Sequence, residues 1–378
     1  MIRTIRSLLL LLLAVTLFSC GDKKGDSRTA RADITEYSEL QRLTDADGYS
    51  VAEVVNPWDT TKLIGRYVMV DASAQLPDSL PEGTLLRTPI SRIIVYTSVH
   101  AGALNELGAI QSVGGVADAQ YFKISYIKEG LASGKVADVG GSSEPSAEKI
   151  MAARPMAVMA SVYEGADLAV LERLGIPFLK MADNMERTPL GRAEWIRFIG
   201  RLVGKGAEAD SIFRNVEHEY TSLSQRVKGV TKRPTVLTEN IYQGVWYLPG
   251  GASYQARIIA DAGGHYLWED DKSAGSLNLS FEQVAAKASD ADVWMLKVYG
   301  TELTRETLLG MDRRYGYFKA VDRGGVWWSD TSVSQLYEEF PFHPEMLLKD
   351  YIGIFHPDLL KDGEAMRYFR QMKVTPSK

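Results

Sequence analysis

The sequence contains very little cysteine: Cys20 is the only one in 378 residues. A single cysteine excludes an intramolecular disulfide, a cysteine-rich zinc site and a dithiol redox pair. Positive charge is not in excess either, because 43 Lys and Arg face 48 Asp and Glu, for a net charge of −5. The chain therefore lacks the overall basic field typical of nucleic-acid-binding domains, and no nucleic-acid partner is expected.

Motifs for catalysis and for metal binding are also missing. We find no Gly-x-Ser-x-Gly elbow, no Walker loop and no His-Glu-x-x-His pair. The five histidines show no paired spacing, so the sequence predicts no resident metal and no cofactor. A hydrophobic fraction of 45% and a charged fraction of 24% are ordinary globular values. We expect a binding protein without enzymatic activity, and a lipid-anchored hydrolase is the alternative class.

The N-terminus has the pattern of an export signal. Arg3 and Arg6 precede the apolar run Leu8–Phe18, which is too short for a comfortable membrane span and typical of a secretory signal. The run ends in Leu17-Phe18-Ser19-Cys20-Gly21, which resembles the lipobox of bacterial lipoproteins. This resemblance implies cleavage of a signal peptide over residues 1–19 and lipid attachment at Cys20. The alternative is a plain signal peptide with an incidental cysteine.

The residues that follow Cys20 predict a lipid tether. Residues 20–33 are polar and read as flexible. Beyond them we find no apolar stretch long enough to span a membrane. We expect a body anchored by lipid on the periplasmic side of a bacterial membrane, or at the outer membrane or cell surface.

The body contains two stretches that resemble each other. Short β-branched runs alternate with helical patterns over residues 91–190 and again over residues 230–378, which favours parallel sheets built from βαβ units. Ser146-x-Glu148-x-Ile150-x-Ala152 aligns with Ser280-x-Glu282-x-Val284-x-Ala286 without a gap. The predicted fold class is α/β, with two similar lobes.

Two further segments complete the predicted organisation. Residues 191–229 carry apolar residues at helical spacing, and Ala207–Val227 predicts one helix of roughly 30 Å. Such a helix makes a stiff connection between the lobes. Residues 34–90 do not follow the repeat and predict a β-rich extension packed on the first lobe.

Several short motifs, in this order and spacing, identify a family resemblance over roughly residues 91–369. The chain is similar to the substrate-binding lipoproteins of metal-chelate ABC importers, the receptors with a helical backbone for ferric siderophores, haem and cobalamin. The motifs are Arg92-Ile93-Ile94-Val95 with His100, Val113-Gly114-Gly115-Val116, Gly141-x-x-x-Pro145-Ser146-x-Glu148-Lys149-Ile150, Arg154-Pro155, Leu174-Gly175-Ile176-Pro177 and Ala262-Gly263-Gly264.

The resemblance implies a class III periplasmic-binding-protein fold. It also implies that the protein is a monomer and delivers its ligand to an ABC permease dimer with its ATPase. It also implies that Glu148 and Glu282 dock on an arginine of each permease subunit. The alternative is that both only begin helices, since Ser280-x-x-Gln283 is a capping-box pattern. An alternative partner is an outer-membrane transporter, to which a surface lipoprotein would hand its ligand.

The ligand cleft is expected at the carboxyl ends of the strands, where α/β proteins bind ligands. Aromatic residues concentrate there, which favours a large flat or macrocyclic ligand, and Trp246 is the strongest candidate. His100 follows the first strand, where a polar loop residue is the favoured interpretation. The predicted cleft residues are Thr97, Ser98, His100, Ser142, Ser143, Tyr163, Asn184, Tyr242, Trp246, Trp268, Tyr299 and Trp328.

Few cations are available to bind an acidic ligand. Arg257, Lys272 and Lys297 are the candidates, and the sequence shows no basic triad. This favours a neutral or mixed-charge chelate, such as cobalamin or a hydroxamate siderophore, over haem.

Overall fold

The computed structural model describes residues 32–163 and 169–373, so the predicted signal peptide, Cys20 and most of the tether lie outside the described residues. Within these ranges no helix is long and apolar enough to cross a membrane. The strands are β1 (Ala32–Asp33), β2 (Gln41–Ala46), β3 (Tyr49–Asn56), β4 (Asp59–Asp71), β5 (Thr84–Thr88), β6 (Ile93–Val95), β7 (Val113–Val116), β8 (Ala137–Asp138), β9 (Ala157–Ser161), β10 (Phe178–Met181), β11 (Thr235–Thr238), β12 (Ile241–Tyr242), β13 (Val245–Pro249), β14 (His265–Tyr266), β15 (Ser276–Leu279), β16 (Val293–Val298), β17 (Val326–Asp330) and β18 (Arg370–Gln371). The α-helices are α1 (Ser98–Glu106), α2 (Ser125–Ser133), α3 (Ala147–Ala152), α4 (Ala169–Arg173), α5 (Pro189–Ala193), α6 (Trp195–Leu202), α7 (Gly206–Arg226), α8 (Tyr254–Asp261), α9 (Phe281–Ala288), α10 (Arg305–Met311), α11 (Ala320–Arg323), α12 (Leu336–Glu339) and α13 (Pro344–Phe355).

The first lobe is built on a parallel sheet of strand order β10-β9-β6-β7-β8. Its central strand β6, Ile93–Val95, is buried along its whole length. A short apolar run of this kind needs cover on both faces, which crossover helices of a parallel sheet supply. The carboxyl ends of β6 and β7 consequently meet at one edge of the sheet.

The second lobe repeats this plan. Strands β14, β11, β16 and β17 are parallel in that order, and β18 adds an antiparallel edge. A small antiparallel sheet, β12-β13-β15, lies beside it. Together with the long connecting helix, these two parallel sheets confirm the predicted fold class.

The connection between the lobes is α7, whose 21 residues span Gly206–Arg226. Its buried face carries Phe213, Val216, Tyr220 and Leu223, which join the main hydrophobic core. At 1.5 Å per residue the helix is roughly 30 Å long, comparable to a small domain. The connection is therefore packed along its length.

The N-terminal segment forms a separate five-stranded sheet in the order β1-β2-β3-β4-β5. One face, which includes Leu43, Val54 and Met69, belongs to the main core. Tyr67 ties β4 to the first lobe, because its hydroxyl donates to the carbonyl of Phe178 and accepts from the N–H of Lys180, both at 2.8 Å. This sheet consequently packs against β10 of the first lobe.

Two buried carboxylates hold the chain that connects β1 to β2 of this sheet. Glu194 accepts hydrogen bonds from the backbone N–H groups of residues 36–38, each at 2.8 Å. Glu186 accepts the N–H groups of residues 39–40 at 3.0 and 3.1 Å. Arg197 balances Glu194 at 3.0 Å. A buried carboxylate needs such donors, so these two side chains fix the course of the chain between β1 and β2.

Candidate functional site

A cavity of about 360 Å³ lies between the two lobes. The first lobe contributes residues 96–99, at the end of β6 and the start of α1, together with residues 117–118 and 121–123 after β7. The second lobe contributes Tyr299, Thr331 and Tyr337. Three of the predicted cleft residues, Thr97, Ser98 and Tyr299, are thus brought together here.

Local structure explains how the first lobe presents its polar groups to this cavity. Thr97 is the N-cap of α1, and its hydroxyl accepts the N–H of Val99 at 3.0 Å. Asp118 lies in the left-handed region with φ of 50°, which turns its carboxylate towards the N–H of Ser142 at 3.2 Å. The buried Tyr96 hydroxyl has no hydrogen-bond partner among the described residues. Burial, helped by the Asp118 carboxylate, raises the pKa of Tyr96 to about 12.

A second, smaller cavity of about 230 Å³ lies inside the second lobe. Tyr337 lines both cavities. Glu239 and Lys297 lie at the carboxyl ends of β11 and β16, line the smaller cavity and form a close ion pair. Burial alone would lower the pKa of Lys297, but the Glu239 carboxylate raises it above its ordinary value. The carboxylate therefore favours the charged form of Lys297, and the opposite charges of the pair offset each other.

The structure corrects the prediction for His100. This residue lies inside α1 and is fully buried, so it is neither a loop residue nor part of the cavity wall. Its Nε2 lies 3.1 Å from Asp183, which Arg192 also contacts at 3.1 Å. Burial opposes ionisation of Asp183, but Arg192 and His100 lower its pKa to about 2. Because Arg192 also stacks on Tyr254 of the second lobe, this network supports the contact between lobes.

The predicted tryptophans are core residues. Trp246, Trp268 and Trp328 are only 0%, 8% and 3% exposed. Trp246 packs edge-on against Phe318 and donates to the Thr238 carbonyl at 3.0 Å, which satisfies its indole N–H inside the core. The expectation that Trp246 is the strongest ligand contact is therefore wrong: its side chain turns into an aromatic cluster.

The other two tryptophans are covered by neighbouring side chains. Trp268 packs on Tyr266, and the guanidinium of Arg370 lies 3.8 Å from the Trp328 ring. Trp328 lies in β17, where successive side chains point to opposite faces, and the sequence alone left open whether Trp327 or Trp328 faces the core.

The remaining predicted cleft residues lie outside both cavities. Ser143, Tyr163 and Tyr242 are exposed. Asn184 donates to the Val162 carbonyl at 3.3 Å, and Ser142 contacts the cavity only through Asp118. Sequence reasoning missed the cavity residues Tyr96, Asp118, Tyr121, Lys123 and Tyr337. Tyr96 follows β6 directly and Asp118 lies two residues after β7, so both could have been found by their position at strand ends, whereas nothing local marks Tyr337.

No group of three or more His, Cys, Asp or Glu side chains that could hold a metal ion occurs in residues 32–163 or 169–373. A family model described as periplasmic binding protein matches residues 93–320, more than half of the chain. The chain belongs to the periplasmic binding protein family. This confirms the family resemblance that the sequence motifs predict.

Relatives and solved structures are similar to this chain over most of its length. Two uncharacterized lipoproteins of Methanocaldococcus jannaschii are 29% and 27% identical, covering 85% and 82% of this chain and 81% and 80% of their own length. A periplasmic heme binding protein from Pseudomonas aeruginosa is 16% identical with a TM-score of 0.60, covering 76% of this chain and all of its own. An Fe3+-hydroxamate transport protein from Saccharomonospora viridis is 19% identical with a TM-score of 0.54, covering 70% and 94%. At these identities the solved structures show the fold.

In this periplasmic binding protein, Glu148 and Glu282 occupy equivalent places on the two lobes. Each is exposed in the first turn of its helix, α3 or α9. The N-caps Ser146 and Ser280 each accept a backbone N–H at 3.3 Å, and the capping box at Ser280 is complete. Glu282 also lies 3.3 Å from Arg314, so the two carboxylates have different surroundings.

Proposed function

We propose that this periplasmic binding protein is a lipid-anchored receptor that captures a metal chelate between its lobes and delivers it to an ABC importer. The observation that carries the proposal is the interlobe cavity, which both lobes line at the carboxyl ends of their strands. Anchoring at Cys20 is part of the proposal and is supported by relatives that are named lipoproteins.

The walls of the cavity favour a flat apolar surface with polar edges. Tyr96, Tyr121, Phe122, Tyr299 and Tyr337 supply aromatic contact area. Aromatic side chains bind large rigid ligands at a low cost in side-chain entropy. Structural neighbours that include a heme binding protein and an Fe3+-hydroxamate transport protein support a chelate as the cargo.

The cationic side chains that line the two cavities limit the charge of the ligand. The cations that reach the cavities are already engaged: Lys123 donates to the Ser334 carbonyl at 2.6 Å and lies 3.6 Å from Glu338, while Lys297 pairs with Glu239. A strongly anionic ligand would have to displace one of these carboxylates. We therefore propose a neutral or mixed-charge chelate, a hydroxamate siderophore or a cobalamin, ahead of haem, whose carboxylates need free cations.

Titration of the purified protein with a panel of chelates tests this proposal. Ferric hydroxamate siderophores, cobalamin and haem are added to the full chain while tryptophan fluorescence and calorimetric heat are followed. We expect one neutral or mixed-charge chelate to bind with micromolar affinity or tighter. Absence of binding by every member, together with turnover of an ester or glycoside, would show that the protein is a hydrolase.

A pair of tyrosine variants ties binding to the cavity. Tyr299→Ala removes an exposed ring from the wall and is expected to weaken chelate binding about tenfold, as for a contact worth 1–2 kcal/mol. Tyr317→Ala removes another exposed ring, 70% exposed against 61% for Tyr299, that lies outside both cavities, and should leave the affinity unchanged. Equal effects of the two variants on chelate affinity would show that the chelate binds outside the interlobe cavity.

A further inference from the structure

The smaller cavity in the second lobe has a polar floor and aromatic walls. Its floor is the ion pair of Glu239 and Lys297, whose side chains are about one-fifth exposed. Tyr247, Tyr337 and Phe340 stand around this pair. Since Tyr337 also lines the interlobe cavity, the smaller cavity opens beside the place proposed for the chelate.

The ion pair keeps unused hydrogen-bonding capacity. Lys297 donates to Glu239 Oε1, and the described residues show no further hydrogen bond for its other two N–H donors or for Glu239 Oε2. A lysine ammonium has three donors and a carboxylate has two acceptor oxygens. The floor therefore offers a donor and an acceptor side by side, with no net charge.

Glu239 is also held in a strained backbone conformation. Its φ is 61°, in the left-handed region that residues other than glycine adopt at a cost. The core fixes it there, because its N–H donates to the Met295 carbonyl at 2.9 Å and its carbonyl accepts the Trp294 indole N–H at 2.8 Å. This geometry places the carboxylate on the cavity floor and ties it to buried strands.

The size of the cavity limits what it can hold. About 230 Å³ accommodates one ring with a substituent, whereas a whole macrocycle needs the larger space between the lobes. Aromatic rings on several sides favour a planar group. A neutral floor with a paired donor and acceptor favours a group that carries the complementary acceptor and donor, because an unpaired charge brought there would be desolvated without compensation.

We infer that this cavity is a side pocket for a neutral planar group with both a hydrogen-bond donor and an acceptor, such as an aromatic amide or an N-heteroaromatic arm of the ligand. The inference rests on the proposed function in that the metal-bearing part of the same ligand occupies the interlobe cavity. Lys297 donates to the acceptor of this arm, and Glu239 accepts from its donor. The pocket thus selects chelates that carry a neutral polar arm over those with an anionic one.

Nicotinamide and nicotinate form a matched pair of probes, because they share one ring and differ in the charge of the substituent. Ligand-observed NMR on the full chain measures both dissociation constants. We expect nicotinamide to bind in the millimolar range and nicotinate at least tenfold more weakly. Binding of nicotinate as tight as that of nicotinamide, or no binding of nicotinamide, would overturn the inference.

Two variants locate the nicotinamide. The double variant Glu239→Met with Lys297→Met removes donor and acceptor together and leaves no unpaired charge, so we expect a loss of at least tenfold. Tyr337→Ala removes a partly exposed wall and gives an independent readout if the double variant does not fold. The control is Asp290→Asn with Lys319→Met, which removes an exposed ion pair outside both cavities and should change nothing. Unchanged nicotinamide affinity in Tyr337→Ala would overturn the inference.

The same protein preparations are titrated with the chelate panel. Chelate binding without nicotinamide binding overturns the side pocket and leaves the proposed function intact. Nicotinamide binding that the pocket variants abolish, without binding of any chelate, supports the pocket and counts against the proposed function. The two failures are therefore distinguishable.

Discussion

A Cβ placed on Gly102 would lie 2.0 Å from the carbonyl oxygen of Glu338. Gly102 belongs to α1 of the first lobe and Glu338 to α12 of the second, so helix and backbone meet with no room for a methyl group. Lys123 of the first lobe also reaches α12, because its Nζ lies 3.6 Å from the Glu338 carboxylate. The two lobes thus contact each other closely beside both cavities, and α7 is not their only connection.

Gly102→Ala is expected to push the lobes apart at this contact. The obstacle is backbone, which cannot swing aside as the end of a long side chain can. Overpacking of this kind costs about 1–3 kcal/mol. We expect a lower midpoint of thermal unfolding and weaker chelate binding, because the spacing of Tyr299 from the first lobe changes.

The matched control is Gly310→Ala in α10, where a Cβ meets nothing within 4 Å. Alanine in an open helical position stabilises by about 0.5–1 kcal/mol relative to glycine. A thermal midpoint for Gly102→Ala as high as that of this control would show that α12 moves aside without a loss of stability.

Glu194→Gln is expected to loosen the connection between β1 and β2 of the N-terminal sheet. The Glu194 carboxylate accepts the backbone N–H groups of residues 36–38 and pairs with Arg197. The glutamine amide has only one acceptor oxygen, so its NH2 group would face some of these donors. Breaking a buried charge pair costs about 3–5 kcal/mol. Hydrogen exchange of residues 36–40 should become much faster than that of β6.

Glu36→Gln is the control for this experiment. Glu36 also contacts Arg197, at 3.1 Å, but its side chain is 54% exposed. An exposed ion pair contributes about 0–1 kcal/mol, so exchange should barely change. Equal exchange in both variants would mean that Glu194 does not hold the extension.

The sequence predicts the architecture better than the site, and particular residues show why. The run Ile93–Val95 and the repeat around Glu148 and Glu282 predict parallel sheets in two lobes, since periodicity and strand ends are local properties. The helix predicted over Ala207–Val227 is observed over Gly206–Arg226 for the same reason.

The site depends on contacts that no local pattern encodes. Trp246 is the strongest ligand candidate in the sequence, yet its indole is enclosed by the rings of residues some 70 positions away, such as Tyr315 and Phe318. Tyr337 lines two cavities only because α12 is pressed against α1. Long-range packing decides such positions, so a single sequence does not reveal them.

His343 predicts a measurable pH dependence of stability. Burial opposes its protonation, but Glu106 at 3.6 Å and Glu345 at 2.9 Å raise its pKa from 6.5 to about 9. Because the folded pKa is the higher one, the stabilisation is complete below pH 6.5 and is lost as the pH rises through 9. A shift of this size corresponds to about 3 kcal/mol.

The measurement is urea unfolding of the wild type and of His343→Gln between pH 6 and pH 10. The difference between their free energies of unfolding should shrink by about 2–3 kcal/mol across this range. Using the difference removes the contribution of all other titrating groups that both proteins share. A difference that stays constant with pH would show that His343 is not protonated in the folded protein.

The last prediction concerns Glu148 and Glu282, which we propose dock on the permease. Both carboxylates are exposed and stand at equivalent helix starts, so each lobe can offer one to a dimeric partner. Exposed charges that meet opposite charges on a partner steer association and are strongly screened by salt. We expect Glu148→Ala with Glu282→Ala to leave chelate affinity unchanged and to lower uptake by reconstituted transporter at least tenfold.

The surroundings of the two carboxylates predict unequal single effects. Arg314 already lies 3.3 Å from Glu282, and a permease cation would compete with it, whereas Glu148 has no ion pair within the described residues. Glu148→Ala alone should therefore impair uptake more than Glu282→Ala, and Arg314→Ala should improve it. The control replaces two other exposed acids, Glu129 and Glu306, one on each lobe. Intact uptake in the Glu148/Glu282 double variant, with a lowered thermal midpoint, would show that both residues only stabilise the starts of their helices. An acid in the first helical turn stabilises the helix by about 0.3–1 kcal/mol without any partner.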